Sequence, residues 1–430
     1  MPSRPKKVPV VQGPIRTQEH PITIEDIDAD AHRVVRRLHQ CGHEAYLVGG
    51  SVRDLMLRKS PKDFDIATGA SPNEVRKIFR NCRLIGRRFR LAHLLFADGK
   101  VLEVATFREA PEGIDEDSVV VSPITDDNEF GTAETDARRR DFTVNGLFFD
   151  PQSNEVIDYV GGLADLDRRL LRTIGDPVVR FREDPVRMLR AIKFAARTGF
   201  DIEPAARKAL RTERKWLKKA AIPRIYEEIV RMMWGGAAAS SFHLLEDVGL
   251  LEILLPEVSA WLSRRAGDPA GRLHALLTAV DHKCKGKPHL ENGVLLAALF
   301  WGLYDDLATA AEARKGKLDN IEERKLAETV IGAAAVRLRI PRKDIAALLT
   351  ALELQRRFPH YRERRTARMG LARHHAFPTG LDLLELRTEA FGLDLDALAD
   401  WQSLRDVPRE RPDDDDFAGG HRQPRRRRRH

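Results

Sequence analysis

Cysteine is scarce in this chain of 430 residues, which has only Cys41, Cys82 and Cys284. Three scattered thiols are too few for a disulfide framework or a cysteine-based zinc site, and their scarcity suits a reducing cytoplasm. No run of residues reads as long and apolar enough to span a bilayer, and the Pro- and Lys-bearing start lacks the apolar segment of a signal peptide. The composition therefore predicts a cytoplasmic protein with no membrane partner.

Positive charge is in excess. Lysine and arginine total 73 against 65 acidic residues, which gives a formal net charge of +8. This excess favours an anionic partner such as RNA, although much of it lies in the two ends of the chain. The length accommodates two or three domains with a core of ordinary size.

The most informative pattern is a pair of aspartates, Asp63 and Asp65, downstream of a glycine turn. In a strand, residues two apart share a face, so both carboxylates would point at one spot. Two like charges raise each other's pKa unless a cation lies between them, and Mg²⁺ with a nucleoside triphosphate suits such a pair. The alternative is a solvated strand end after an ordinary glycine turn.

The turn itself offers hydrogen-bond donors for phosphate. Gly49 and Gly50 have no side chain to block close approach, so their backbone N–H groups can cradle a triphosphate. Ser51, Arg53 and Lys62 add side-chain donors. Together with the aspartates, the turn predicts a metal and phosphate pocket.

Glu103 is the one acid in the apolar, alternating segment 101–108, which is typical of a strand. A buried acid needs a partner. If this strand lies beside Asp63 and Asp65, Glu103 becomes the third carboxylate of a two-metal site. The alternative is a glutamate at the rim that pairs with Arg108.

Three consecutive arginines, Arg138, Arg139 and Arg140, run into Asp141. Their mutual repulsion must be offset by negative charge nearby, which a triphosphate would supply. Asp141 could then accept a hydrogen bond from a ribose hydroxyl or join the metal cluster, and Asn145 could bond the ribose or the base. The alternative is a solvated basic face.

The segment 182–197 predicts a helix that begins with Asp184 as N-cap and proline at the first helical position. Asp184 and Arg187 are three apart and therefore adjacent, so they offer an acceptor and a fork of donors. Such a pair could read the Watson–Crick edge of adenine or cytosine, and would select ATP and CTP. We expect Arg190, on the same basic face, to contact the nucleotide. The alternative is a capped helix with an internal ion pair.

Four ordered motifs resemble the class II tRNA nucleotidyltransferase and bacterial poly(A) polymerase family. They are residues 47–54 with Asp63-Phe64-Asp65, then 139–145, 158–162 and 182–190. The similarity covers about residues 30–260. The resemblance implies that Asp63 and Asp65 bind the catalytic magnesium ions, that Asp141 completes the active-site acids, and that Asp184 and Arg187 read the base. It also implies that Arg138, Arg139 and Asn145 hold the nucleotide.

Within this family, residues 86–93, Gly-Arg-Arg-Phe-Arg-Leu-Ala-His, resemble poly(A) polymerases more than CCA-adding enzymes. The five arginines 425–429 favour the same branch, since they offer sequence-blind phosphate contacts. The resemblance thus implies template-independent addition of AMP from ATP to RNA 3′ ends, of mRNA fragments or tRNA, with pyrophosphate release. The alternatives are a tRNA CCA-, CC- or A-adding enzyme, a catalytically inert RNA-binding protein, and a nucleotidyltransferase acting on a small molecule or protein.

The expected fold class is α+β, with a nucleotidyltransferase head of mixed sheet and helices followed by an all-helical array. Head strands are expected near residues 44–48, 64–66, 94–96, 102–106 and 147–149, and none past Leu163. The expected domains are a loose basic N-terminus (1–20), the head (21–160), a helical neck that binds base and RNA (161–265), a helical body (266–403) and a disordered acidic, then arginine-rich, tail (404–430). We expect a monomer.

Overall fold

The computed structural model describes residues 13–86, 90–109, 130–264, 266–285, 290–362 and 364–409. The chain divides into two compact units, Met1–Ala220 and Ala221–His430. The first unit contains a sheet with helices and the second consists of helices. The expected α+β class is therefore confirmed, whereas the domain boundaries at 160 and 265 stay predictions.

Within the described residues, the first unit is built on one eight-stranded sheet. Its strands are β1 (Ile15–Thr17), β2 (Ala45–Val48), β3 (Asp65–Thr68), β4 (Cys82–Ile85), β5 (Leu91–Leu95), β6 (Val101–Thr106), β7 (Leu147–Asp150) and β8 (Glu155–Asp158). The spatial order is β1-β8-β7-β2-β3-β6-β5-β4. The pair β3 and β6 is parallel, and the other neighbours are antiparallel. Each expected head strand overlaps an observed one, while β1 forms within the segment expected to be loose.

The helices of the first unit lie between and after these strands. They are α1 (Ala29–Gln40), α2 (Gly50–Met56), α3 (Pro72–Ile78), α4 (Ala133–Arg138), α5 (Gly162–Asp167), α6 (Pro177–Glu183), α7 (Val186–Thr198) and α8 (Pro204–Glu213). Side-chain caps begin α1, α3, α4 and α6: the Asp28 side chain, for example, accepts from the backbone N–H groups of Asp30 and Ala31. The starts of α2, α5, α7 and α8 have no side-chain cap hydrogen bond.

The expectation that strands end at Leu163 is wrong. Two short parallel strands follow, β9 (Leu170–Leu171) and β10 (Asp201–Ile202). A two-residue strand has no room for alternation, so its sequence carries no periodic signal. Only the approach of two distant segments creates this pair.

Aromatic packing forms part of the core beneath the large sheet. The rings of Tyr46 and Phe107 lie 6.0 Å apart, and those of Tyr46 and Phe148 lie 5.9 Å apart. In β6 the residues alternate, so that Leu102 and Val104 are buried and the side chains between them are not. This alternation decides which face Glu103 occupies.

The second unit is helical throughout its described residues. Its helices are α9 (Ile222–Trp234), α10 (Ala238–Asp247), α11 (Leu251–Leu254), α12 (Pro256–Leu262), α13 (Pro269–Cys284), α14 (Asn292–Lys315), α15 (Asn320–Leu338), α16 (Arg342–Tyr361), α17 (Arg365–Arg373), α18 (Phe377–Phe391) and α19 (Leu395–Gln402). Helix α14 packs against α13, α15, α16 and α18 and is the centre of this unit.

Helix α14 corrects one expectation from the sequence. No run of this length and apolarity was expected, yet α14 is long and apolar enough, by length and composition, to cross a membrane. Its most apolar 18-residue stretch is 67% buried among the other helices. Burial by neighbouring helices is what a central core helix requires. The segments 87–89 and 425–429, which favoured the poly(A) polymerase branch, lie outside the described residues, as does residue 410 onward of the predicted tail.

Candidate active site

The glycine turn and the first acidic residue of β3 are neighbours in the sheet. Strand β2 ends at Val48, whose partner in the antiparallel ladder is Asp65. Gly49 and Gly50 follow immediately, and α2 begins at Gly50. The register therefore places the turn beside the acids, as the sequence predicted.

Gly49 is required by both its conformation and its surroundings. Its φ is +74°, a region that residues with side chains rarely adopt. A Cβ there would lie 2.9 Å from Nη1 of Arg140. The guanidinium of Arg140 thus packs against the turn, although no role was expected of this residue beyond its place in the arginine run.

Asp65 and Glu103 lie side by side on β3 and β6 and repel each other. Asp65 is paired with Glu103 across the parallel ladder, and Asp63 lies two residues upstream, exposed to solvent. Desolvation by surrounding protein, then the negative charge of Glu103, raise the pKa of the Asp65 carboxyl, while Arg140 opposes this. The site therefore favours binding of a cation.

The donor set fits Mg²⁺ in a substrate complex rather than in a closed protein cage. In the described part of the chain, no three His, Cys, Asp or Glu side chains converge to hold a metal ion. Mg²⁺ commonly takes one or two carboxylates and completes its octahedron with water and substrate phosphates. Asp63 and Asp65 are suited to supply those carboxylates.

Glu103 is not the buried acid that its surroundings suggested. Its side chain is 51% exposed, and its ionic partner is His93 on β5, with Nε2 and Oε1 3.4 Å apart, rather than Arg108. The reason is the alternation of β6, which turns its apolar neighbours into the core. Its charge acts on Asp65, and its role as a third carboxylate stays a prediction.

Asp141 lies in a different environment from Asp63 and Asp65. It is 8% exposed, and its carboxylate accepts from Arg190 Nε at 2.7 Å, Asn145 Nδ2 at 3.1 Å and the backbone N–H of Phe142 at 2.9 Å. Burial acts to raise its pKa, but the charge of Arg190 and these hydrogen bonds lower it. The carboxylate of Asp141 is therefore already paired within the protein, and its role among the active-site acids stays a prediction.

The predicted phosphate donors Ser51 and Arg53 point inward. Ser51 is buried, and its hydroxyl donates to the carbonyl of Val48 at 3.0 Å. Arg53 is 1% exposed and donates from Nη1 to Asn145 Oδ1 at 2.5 Å and from Nη2 to Asp54 at 2.6 Å. Both side chains brace the turn, because they lie on the buried face of α2.

The arginine run is divided between two environments. Arg138 pairs with Glu134 at 2.7 Å on an exposed helix surface. Arg139 and Arg140 both pair with Asp136, at 3.0 and 2.9 Å. Burial acts to raise the pKa of Asp136, but the charges of Arg140 and Arg139 lower it. The charge of Asp136 therefore offsets the mutual repulsion of Arg139 and Arg140, which was expected to need a triphosphate. The sequence had not indicated this role for Asp136.

The predicted base-reading pair lies where α6 meets α7. Helix α7 begins at Val186, one residue later than its expected start, and the Asp184 side chain still accepts from the N–H of Val186 at 3.2 Å. Arg187 is buried rather than on an exposed basic face, and its Nη1 donates to Glu183 at 2.7 Å and to the carbonyl of Arg180 at 3.1 Å.

The remaining arginines of α7 are also engaged. Arg190 binds Asp141, and Arg197 Nη2 donates to Asp54 at 3.1 Å. The guanidinium groups of Arg53 and Arg190 each lie 5.2 Å from the ring centre of Phe194. The expected basic face is thus a network that joins α2, the Asp141 turn and α7, which no periodic pattern could reveal.

Three protein-family models match the chain. They are the "Poly A polymerase head domain" at residues 45–172, the "Probable RNA and SrmB- binding site of polymerase A" at 199–262, and the "Polymerase A arginine-rich C-terminus" at 323–430. The first includes the glycine turn and the acids of β3 and β6. The family resemblance of the motifs is therefore confirmed.

Similar proteins of known name lead to the same assignment. Poly(A) polymerase I of Salmonella typhimurium is 37% identical over 396 residues, 90% of this chain and 84% of that protein. A CCA-adding enzyme of Lactobacillus gasseri is 36% identical over 219 residues, 51% of this chain and 53% of its own length. The crystal structure of the Bacillus stearothermophilus CCA-adding enzyme in complex with CTP matches with a TM-score of 0.62 at 25% identity, over 87% of this chain and 80% of that one. With such identity over nine-tenths of its length, this chain belongs to the poly(A) polymerase I family of nucleotidyltransferases.

Proposed function

We propose that the protein transfers AMP from ATP to RNA 3′ ends without a template and releases pyrophosphate. The observation that carries this proposal is the 37% identity to poly(A) polymerase I over 90% of the chain. The placement of the glycine turn beside Asp65 and Glu103 supports it, because the turn supplies donors for phosphate where the acids supply ligands for a cation.

In this proposal, the triphosphate lies along the turn. The backbone N–H of Gly50 donates to a phosphate oxygen, whereas that of Gly49, contrary to the expectation from the sequence, already donates to the carbonyl oxygen of Leu147 at 3.1 Å. Arg140, which packs against Gly49, adds a guanidinium to the same place. Asp136 holds that guanidinium in position through Oδ2, 2.9 Å from Nη2. Ser51 and Arg53 keep the turn in shape from beneath.

Asp63 and Asp65 would hold Mg²⁺, which when bound would activate the RNA 3′-hydroxyl and neutralise charge on the departing pyrophosphate. The two carboxylates also determine where the 3′-hydroxyl must lie relative to the α-phosphate. No covalent bond between enzyme and nucleotide is needed, since the hydroxyl displaces pyrophosphate directly.

Base selection falls to Asp184 and Arg187. Adenine and cytosine present an amino donor beside a ring-nitrogen acceptor, which matches the Asp184 oxygens and the Arg187 donors. Guanine and uracil present the reverse order and would leave buried polar groups unpaired. Asn145 and Asp141 would contribute on the ribose side, with Asn145 held by Arg53.

RNA is the proposed partner, bound in part by residues 199–262, whose family model is described as an RNA-binding site. We further propose that the protein acts as a monomer in the cytoplasm, with the head, neck, body and tail divided as the sequence predicts.

One assay tests the activity. Purified protein is given a tRNA that lacks its terminal CCA, a tRNA that ends in CC and an unstructured oligoadenylate, each with one labelled nucleotide at a time. We expect long adenylate ladders on the oligoadenylate, and their loss when EDTA removes divalent cations. Absence of AMP incorporation on all three RNAs would contradict the proposal.

The second candidate function is tRNA end addition. It is favoured by the match to a CCA-adding enzyme, although that match spans only 51% of this chain. Arrest after one to three additions on tRNA, without extension of oligoadenylate, would establish this function instead.

A further inference from the structure

Arg180 occupies an unusual position in α6. Its Nη2 donates to two successive carbonyl oxygens, those of Arg139 and Arg140, each at 2.7 Å. Its Nη1 donates to Glu183 Oε2, also at 2.7 Å. The side chain is 13% exposed. No motif considered above gives Arg180 a role, yet it holds the backbone that carries the arginine run into Asp141.

The same carboxylate oxygen also holds the proposed base reader. Arg187 Nη1 donates to Glu183 Oε2 at 2.7 Å and to the backbone carbonyl of Arg180 at 3.1 Å. Glu183 is buried, with 7% of its side chain exposed. A continuous set of short hydrogen bonds therefore runs from Arg187 through Glu183 and Arg180 to the backbone at residues 139 and 140.

The two ends of this set of hydrogen bonds position different groups. At one end, it fixes the direction of the Arg187 guanidinium, since two acceptors lie on one of its nitrogens. At the other end, the backbone of Arg140 determines where its side chain meets Gly49 and Asp136. Burial, together with the nearby charge of Arg187, lowers the pKa of Arg180 to about 10, so Arg180 stays protonated at neutral pH.

We propose that Arg180 is a positioning residue that couples base selection at Arg187 to the alignment of Arg140 at the triphosphate turn. This inference rests on the proposed function, because it assumes that Arg187 contacts the base. Only a planar fork can reach two carbonyls and a carboxylate at once, so an ammonium can replace only part of these bonds. Without the fork, two carbonyls and Glu183 lose a donor in a buried region, and both ends shift.

The test uses Arg180→Gln in the full chain, with oligoadenylate as primer. We expect kcat for ATP to fall about tenfold, and the ratio of kcat/KM for ATP over GTP to fall by about the same factor, because small misplacements of reacting groups are costly. The ratio is the informative readout, since partial unfolding would lower the rates for both nucleotides equally. The melting temperature is measured in parallel.

Arg182→Gln is the matched control. Arg182 lies on the same helix and loses an ion pair of equal length, Nε to Glu213 at 2.7 Å, but it stacks toward Trp216 rather than reaching the arginine run. Its ATP over GTP ratio should stay within about twofold of the wild type. Arg180→Lys should lie between wild type and Arg180→Gln, and it decides the question if Arg180→Gln does not fold.

An unchanged ATP over GTP ratio in a folded Arg180 variant would overturn the inference, and so would an equal loss in Arg182→Gln. Failure of the proposed function has a different signature, in which the wild-type protein itself does not incorporate AMP. If the wild type uses another nucleotide, the ratio of kcat/KM for that nucleotide over GTP tests the role of Arg180 in the same way.

Discussion

Two sets of acidic residues in the first unit have opposite electrostatic environments. Asp63 lies just before β3, Asp65 begins that strand and Glu103 lies beside Asp65 on β6. All three are exposed, and desolvation with the neighbouring charges raises the pKa of Asp65. Asp136 and Asp141 are buried, yet their arginine partners lower their pKa values against the effect of burial. One set is short of positive charge and the other is already neutralised.

Under the proposed function, this difference separates acids that would bind a cation from acids that stabilise the fold. Repulsion between like charges costs stability in the absence of a cation, so a protein retains it where a cation is bound. Buried acids with arginine partners instead cost stability when they are removed, because the arginine is left without its counter-charge. The two sets should therefore respond to substitution in opposite ways.

The largest effect is expected for Asp63→Ala combined with Asp65→Ala. Incorporation of labelled AMP should fall by about 10³-fold or more, because the variant loses the ligands for a catalytic cation. The free energy of unfolding should stay the same or rise slightly, since repulsion is removed. Primer extension with excess Mg²⁺ and urea unfolding measure the two quantities.

Glu25→Ala serves as the control for loss of an exposed acid, and it should leave activity unchanged. RNA binding by the double variant, measured by gel shift, should match the wild type. Full activity of the double variant would show that these carboxylates hold no catalytic ion.

A smaller but clear effect on stability is expected for Asp141→Asn. The substitution removes the counter-charge of Arg190 in a buried region, so the free energy of unfolding should fall by about 3 kcal/mol. Asp65→Asn, at an exposed position, should change it by less than about 0.5 kcal/mol. Equal losses in both variants, seen in urea unfolding at pH 7, would erase the distinction between the two sets.

The smallest effect concerns the pH dependence contributed by Asp136. Its pKa is lower in the folded protein than in the unfolded chain, where it is about 3.9. Its stabilisation is therefore fully present above the unfolded pKa and is lost as the pH falls through the folded pKa. Asp136→Asn should be less stable than wild type by about 2 kcal/mol at pH 7, and the difference should shrink below about pH 4.

Unfolding free energies of both proteins between pH 7 and pH 3 measure this difference. A gap that stays constant to the lowest pH would mean that the Asp136 charge does not stabilise the fold.

Local patterns in the sequence predicted much of the head. Alternating and apolar runs located β2, β3, β6 and β7. The motifs predicted that the glycine turn and the aspartates form one site. The side-chain directions of Ser51 and Arg53 could not be predicted, because burial of one face of α2 depends on what packs against it. The exposure of Glu103 was open to prediction from the alternation of β6, since its apolar neighbours occupy the core face.

The long-range polar pairs of both units could not be predicted from the sequence. In the second unit, Arg324 Nη1 donates to Glu353 at 2.9 Å across 29 positions, and Tyr304 is fully buried among such charges. None of these three residues belongs to one of the sequence motifs. Their arrangement follows from which helices surround α14, and helical periodicity says which face is apolar but not which helix will cover it.

The amino-acid sequence by itself determined the family and the strand that carries Asp65, because these depend on residue type and on local spacing. It did not determine that β3 begins only at Asp65, so that Asp63 lies just before the strand.

Asp136 is neutralised by arginines three and four positions away, but only tertiary structure decided the distant arginine partners of Asp141 and Asp54. Arg190 meets Asp141 across 49 positions, and Arg197 meets Asp54 across 143. Such pairs form only when packing brings distant segments together, and at the buried Asp141 the same packing supplies the low-polarity surroundings that strengthen the pair.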